Sequence, residues 1–272
     1  MNKPKVFSEK VLPDDIRMFL EEYVDLKVWE NSFPIPREQL LKELDDIDGL
    51  ITSGSAINSE LLEKAPNLRV VSTISVGYNH FHTNEMKKHG VIGTHTPYVL
   101  DATVADLVIA LMLSAARRIP ELDALTKNGG WEKGNDQPMF GVDVHHKKLG
   151  IIGMGRIGET IAKRAKYGFD MEVSYYNRNR RVEVEEKLNI DYKETIDEIL
   201  TESDFIALMV PLTNETKHLI GEREFKLMKK SAIFINASRG QTVDEEAMIK
   251  ALQSGEFLAA GLDVYQTRAN LF

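Results

Sequence analysis

From Lys5 to Thr94, short β-branched or apolar runs alternate with amphipathic stretches, the pattern of βα units on a parallel sheet. The runs at Val6-Phe7, Val24 to Trp29, Gly49 to Thr52, Arg69 to Ile74 and Val91 to Thr94 predict strands. Between them Asp14 to Glu22, Pro36 to Asp45 and Asn58 to Lys64 predict helices, with Pro13-Asp14-Asp15 and Pro36-Arg37-Glu38 as start signals. After Thr96-Pro97 a long, nearly all-apolar helix is expected from Ala102 to Arg118, with Val104, Leu107, Val108, Leu111 and Met112 at helical spacing. Such a helix suits a buried core, a subunit interface, or both. Asn128-Gly129-Gly130-Trp131 and the polar run to Lys148 predict a loop.

A second βα series begins at Leu149. Strands are expected at Leu149 to Ile152, Glu172 to Tyr176, Phe205 to Met209, Ala232 to Asn236 and Ala259 to Asp263. Helices are expected at Ile157 to Tyr167, Ile196 to Thr201, Arg223 to Met228 and Glu245 to Ser254. There is no solenoid-period repeat and no low-complexity segment. The expected fold class is α/β with parallel sheets, in two domains joined near Pro97: 1–97 and 98–272.

The length of 272 residues agrees with two domains, and 43% hydrophobic with 28% charged residues describes a globular chain rather than a disordered one. A formal net charge of −8 argues against nucleic acid or an anionic membrane as a general partner, so an anionic ligand needs a local site. The absence of cysteine excludes disulfides, thiolate catalysis and cysteine metal sites. With no apolar signal core at the start and no apolar run of about 18 residues, a cytoplasmic protein is expected.

The chemistry concentrates in the second series. Gly153-Met154-Gly155-Arg156-Ile157-Gly158 follows an apolar strand and opens a helix, the one context that gives a GxGxxG spacing meaning. Gly153 would permit the tight turn, Gly155 the approach of a pyrophosphate and Gly158 close helix-sheet packing, with amides of the helix start facing the phosphates. A purely structural turn is the alternative. About 20 residues on, where a carboxylate would grip the ribose of NAD, the chain reads Asn177-Arg178-Asn179-Arg180-Arg181. Guanidinium groups there favour NADPH, with its 2′-phosphate, over NADH; a solvated charge run is the competing reading. Ligands of open α/β sheets bind beyond the carboxyl ends of strands, which selects Val210-Pro211-Leu212-Thr213, Ala237-Ser238-Arg239-Gly240 and Asp263. Arg239 at such an edge could hold a carboxylate and polarise a carbonyl, or merely serve solubility. In the first series Ile74-Ser75-Val76-Gly77 is the matching strand end.

Together these residues resemble the D-isomer-specific 2-hydroxyacid dehydrogenase family. The likeness runs through SVGYNHF at 75–81, THTPYVLDATVADLVIALML at 94–113, NGGW at 128–131, LGIIGMGRIGETIAKR at 149–164, PLTNETKHLIG at 211–221 and FINASRGQTVDEEAMIKALQSGEFLAAGLDV at 234–264. SVG, NGGW and the arginine-bearing strand end look most like the glyoxylate/hydroxypyruvate reductase branch. The resemblance implies a flavodoxin-like substrate domain and a Rossmann dinucleotide-binding domain. It implies amides of Val76 and Gly77 on a substrate carboxylate, and Arg239 as the catalytic arginine on the 2-keto acid. It implies that Gly155, Arg156 and Ile157 bind the pyrophosphate, and that Arg178 and Arg181, beside Asn177, bind the 2′-phosphate. Val210, Pro211, Thr216, Ala237, Ser238 and Asp263 would contact the rest of the dinucleotide, with Thr103 near the nicotinamide phosphates. NADP(H) is the implied cofactor, NAD(H) remaining open, and a homodimer through Ala102 to Arg118 and the following loop is the implied assembly.

The likeness stops abruptly. Family members continue with an LDV-aromatic-E-x-E-P pattern and later a catalytic histidine; here Tyr265 is followed by Gln266-Thr267-Arg268-Ala269-Asn270-Leu271-Phe272. Arg268 stands at the family's glutamate and Ala269 at its proline, and His80, His82, His89, His95, His145, His146 and His218 lie outside the catalytic motif. The neighbours His145-His146 alone are a poor metal signature. The expectation is an NAD(P)H-dependent reductase by ancestry, impaired in this chain by a frameshift or truncation that removes the proton donor. The competing reading is a non-catalytic dinucleotide- or partner-binding protein of the same fold.

Overall fold

The computed structural model describes residues 3–134 and 139–266. The chain divides into two compact units, Met1–Val99 and Leu100–Phe272. In unit 1 the order is β1 (Lys5–Ser8), α1 (Asp14–Glu21), β2 (Asp25–Val28), α2 (Arg37–Glu43), β3 (Gly49–Thr52), α3 (Ser59–Lys64), β4 (Val70–Thr73), α4 (Thr83–Lys88) and β5 (Ile92–Thr94). Its parallel sheet runs β2-β1-β3-β4-β5, the flavodoxin-like order. Phe7, Leu50 and Val71 stand opposite one another across β1, β3 and β4, each almost fully buried. Leu40, Leu44, Leu61 and Leu62 from α2, its C-cap and α3 belong to the same core.

Unit 2 comprises α5 (Asp101–Ala116), α6 (Ile119–Lys127), β6 (Lys148–Ile152), α7 (Arg156–Phe169), β7 (Glu172–Tyr176), α8 (Val182–Leu188), β8 (Asp191–Tyr192), α9 (Ile196–Glu202), β9 (Phe205–Leu208), α10 (Glu222–Leu227), β10 (Ile233–Asn236), α11 (Glu245–Ser254) and β11 (Ala259–Leu262). The parallel order β11-β10-β9-β6-β7-β8 is that of a Rossmann fold, reversing direction between β6 and β9. Every residue of β9 and β10 is buried, as a sheet covered on both faces requires. One core includes Val108, Met112, Ile151, Ile161, Ala207 and Ile235; another includes Ile152, Ile206, Leu208, Phe225, Phe234 and Phe257.

Each sheet carries the same kind of clasp at its amino end. Asp48 accepts the Lys5 backbone N–H at 2.9 Å and Asp204 accepts that of Lys148 at 2.9 Å, joining each sheet's first strand to the residue that leads into a central neighbour.

Three helices and a strand escape the expected pattern. The α4 helix buries only Met86, α6 buries nothing, and α8 alternates valine and glutamate like a strand while burying Val184 and Leu188 one helical turn apart. The β8 strand has two residues. The buried face of α5 is also rotated from the expected stripe: Ala105, Val108, Ile109, Met112 and Ala116 are inside, while Leu107 is exposed. With apolar residues all round the helix, spacing cannot select a face.

Candidate functional site

The turn after β6 gives each glycine a separate task. Gly153 has φ +107°, and a Cβ there would stand 2.7 Å from the Met209 carbonyl, so the end of β6 can approach the end of β9 only without a side chain. A Cβ on Gly158 would stand 2.4 Å from the Gly153 carbonyl oxygen, which fixes how tightly α7 returns onto the turn. Gly155, the exposed N-cap of α7, would meet nothing within 4 Å. The space a side chain there would occupy is therefore open, and no side chain caps the helix start. Uncapped amides at the start of a 14-residue helix suit an anion such as a pyrophosphate.

Neighbouring elements brace the glycine turn. Met154 N–H donates to Asn177 Oδ1 at 3.2 Å, and Asn177 Nδ2 donates to the Asn179 carbonyl at 2.8 Å, tying the end of β7 to the glycine turn. Arg156 pairs with Asp101 at 3.0 Å, bringing the first turn of α5, and with it exposed Thr103, to the start of α7. Ile157 packs partly buried against the core.

The arginine run is not uniform. Arg180 turns away: it pairs with Glu185 at 2.7 Å and lies 5.2 Å over the Tyr192 ring. Arg181 donates to the Met154 carbonyl at 3.1 Å and pairs with Glu183, whose carboxyl that contact holds below the usual range. Arg178 is exposed, and its charge reaches Glu215 in the loop after β9; Glu215 is held low first by the Thr213 hydroxyl and additionally by Arg178. Buried Tyr175, missed in the sequence, organises the segment. Its hydroxyl donates to Glu185 at 2.7 Å and accepts the Arg181 N–H at 2.7 Å. Burial above all pushes this phenol up to about 12, so it stays neutral.

At the other strand ends, Thr216 Oγ1 donates to the Pro211 carbonyl at 2.6 Å and accepts the Thr213 N–H at 2.8 Å, closing the loop that follows half-buried Val210. Beyond β10, Asn236 is the second residue the sequence did not single out. Its Oδ1 accepts from Ser238 N–H at 3.0 Å and Ser238 Oγ at 2.7 Å, and its Nδ2 donates to the Arg239 carbonyl at 3.3 Å. A polar residue ending an otherwise apolar strand was the available signal. Ala237 and Ser238 are buried beneath this network, and half-buried Arg239 leads into a 3-10 turn at Gly240–Thr242. A Cβ on Gly240 would stand 2.1 Å from the Tyr265 backbone, so the chain after exposed Asp263 crosses this turn. Arg268 and Ala269 lie outside the described residues.

Unit 1 offers a different feature at the end of β4. The carbonyls of Ser75, Val76 and Gly77 all have partners: Thr96 N–H at 3.2 Å, His95 Nδ1 at 2.9 Å and Ser75 Oγ at 2.6 Å respectively. Among the described residues the N–H groups of Val76 and Gly77 donate to no protein acceptor. His145 and His146 meet edge to face at 5.0 Å, and no group of three or more metal-ligating side chains occurs among the described residues.

Residues 109–270 match the model of the D-isomer specific 2-hydroxyacid dehydrogenase NAD binding domain. A glyoxylate/hydroxypyruvate reductase B from Citrobacter koseri is 48% identical over 97% of this chain and 81% of its own length. The chain belongs to this dehydrogenase family. Among solved structures, a Thermus thermophilus protein superposes with TM-score 0.89 at 34% identity, covering 98% of this chain and 83% of its own. A NADPH-dependent glyoxylate/hydroxypyruvate reductase from Sinorhizobium meliloti, in complex with NADP and malonate, has TM-score 0.85 at 26% identity, covering 100% of this chain and 82% of its own. The two-domain α/β architecture and the family's dinucleotide chemistry are thus those anticipated from the motifs. No helix among the described residues is long and apolar enough to cross a membrane.

Proposed function

We propose that the protein is an NAD(P)H-dependent reductase of small 2-keto acids, glyoxylate or hydroxypyruvate as in its relatives, with NADPH preferred. The open space at Gly155 carries the reading: an uncapped helix start, kept clear by a missing side chain, suits a pyrophosphate in a family of dinucleotide-binding enzymes. A nicotinamide coenzyme bound there would supply the hydride for the carbonyl carbon, and the alkoxide would take its proton from solvent water, since none of the seven histidines stands in the family's catalytic motif. Gly155, Arg156 and Ile157 hold the pyrophosphate, and Thr103 lies beside the nicotinamide phosphates. Arg178, solvent-facing, receives the 2′-phosphate, while Arg181 both braces the Met154 carbonyl and adds charge, with Asn177 holding the turn. Val210, Pro211, Thr216, Ala237, Ser238 and Asp263 line the remaining dinucleotide. Val76 and Gly77 give amides to the substrate carboxylate. Arg239 would bind the keto acid and stabilise negative charge developing on its carbonyl oxygen. A homodimer through α5 and the segment after it accompanies this assignment, since Leu107 and Ile119 are exposed apolar side chains there.

Cofactor preference is tested by calorimetric titration of Arg178→Ala and Arg181→Ala. NADPH affinity is expected to fall about tenfold or more in Arg178→Ala, with NADH changed little. Equal losses for the two coenzymes would remove the arginines from the phosphate site. Arg239→Ala is expected to abolish binding of the keto acid while leaving NADPH affinity intact.

A further inference from the structure

We propose that His95 is a positioning residue that aims the Gly77 N–H at the substrate carboxylate. The inference rests on the assignment of the Val76 and Gly77 amides to that carboxylate and extends it to the group that sets the direction of the Gly77 amide. A trans peptide is planar, so the carbonyl of one residue and the N–H of the next point to opposite sides. Holding the Ser75 carbonyl with the Thr96 N–H therefore turns the Val76 N–H the other way. Holding the Val76 carbonyl with His95 Nδ1, at 2.9 Å, does the same for the Gly77 N–H.

A carbonyl oxygen only accepts, so Nδ1 of His95 carries the proton in this bond. The Gly77 carbonyl is drawn back in turn by Ser75 Oγ, which leaves Thr73 Oγ1 to donate to that same serine oxygen at 2.9 Å. Three successive carbonyls are thus tied to the protein, and the amides between them are directed away with no acceptor of their own among the described residues. Successive N–H groups left without an acceptor at a strand end can take up an anion, and groups whose orientation is fixed beforehand lose little entropy on binding. Of the three ties, the one on the Val76 carbonyl alone comes from a side chain outside the turn. His95 is half-buried with Tyr78 edge-on to its ring at 5.0 Å, so the imidazole is itself held in place.

The test is titration with oxamate, an unreactive keto-acid analogue, with NADPH present and the Gly77 amide followed by NMR. His95→Phe keeps a ring against Tyr78 and removes the donor; His95→Asn keeps a donor near the position of Nδ1. Oxamate affinity is expected to fall about three- to tenfold in His95→Phe and to stay within about twofold of the parent in His95→Asn. NADPH affinity stays unchanged in both, a separation that general loosening of the fold would not give. His95→Ala, with added imidazole restoring affinity, provides the same readout where the phenyl ring unfolds the protein. Unaltered oxamate affinity in His95→Phe, or in His95→Ala without imidazole, overturns the role of His95. A Gly77 amide that does not shift when the unsubstituted protein binds oxamate instead overturns the carboxylate assignment beneath it.

Discussion

At the scale of single residues, three glycines spaced within one turn make opposite demands on a methyl group. Gly158→Ala would set a Cβ 2.4 Å from the Gly153 oxygen, a backbone atom that cannot swing aside. Overpacking of this kind costs about 1–3 kcal/mol, so the melting temperature should fall. Gly155→Ala meets nothing within 4 Å and should leave the melting temperature nearly unchanged. It places a methyl group in the open space assigned to the pyrophosphate, so NADPH affinity should drop about tenfold or more. Thermal melts paired with coenzyme titration separate the two; a Gly155→Ala protein that binds NADPH like the parent would dismiss that assignment. The spacing of these glycines and the strand before them were legible in the sequence. Which arginine is presented to solvent was not, because it depends on Glu183 and Glu185, which lie on a helix the sequence pattern hid.

At the scale of elements, strands were read more faithfully than helices, for a physical reason. Buried parallel strands such as Phe205–Leu208 and Ile233–Asn236 form short, almost unbroken apolar runs that stand out from their surroundings, whereas short helices such as α4 and α6 bury one residue or none and leave no period to detect. Equally hidden was the clasp between elements. Burial alone would raise the Asp204 carboxyl, but the Lys148 N–H and the Lys229 ammonium outweigh it and hold it below the usual value. A depressed folded-state pKa means that this stabilisation is present above the unfolded value of about 3.9 and is lost as pH falls through the lower folded value. Asp204→Asn should therefore melt at a lower temperature than the parent at pH 7, with the gap narrowing below about pH 4. A gap independent of pH across that range would show that the carboxylate charge contributes nothing to the join between β6 and β9.

At the scale of the whole molecule, each unit has a core of its own: Phe7, Leu50 and Val71 belong to one, and the two layers around Ile151 and Phe234 to the other. The glycine turn, the arginine segment and Arg239 all belong to unit 2, whereas the Val76–Gly77 amides belong to unit 1. Coenzyme added alone should consequently stabilise unit 2 by mass action, by about 2.7 kcal/mol at a hundred times its dissociation constant. Hydrogen exchange gives the region-by-region view that a single melting curve lacks. With NADPH, protection should rise across β6, β9 and β10 and stay level in β1, β3 and β4. With oxamate added as well, amides around Gly77 should gain protection in turn. Uniform protection of both units by NADPH alone would mean that the coenzyme's binding energy is shared across the molecule, and that the division of labour between a dinucleotide unit and a carboxylate unit is wrong.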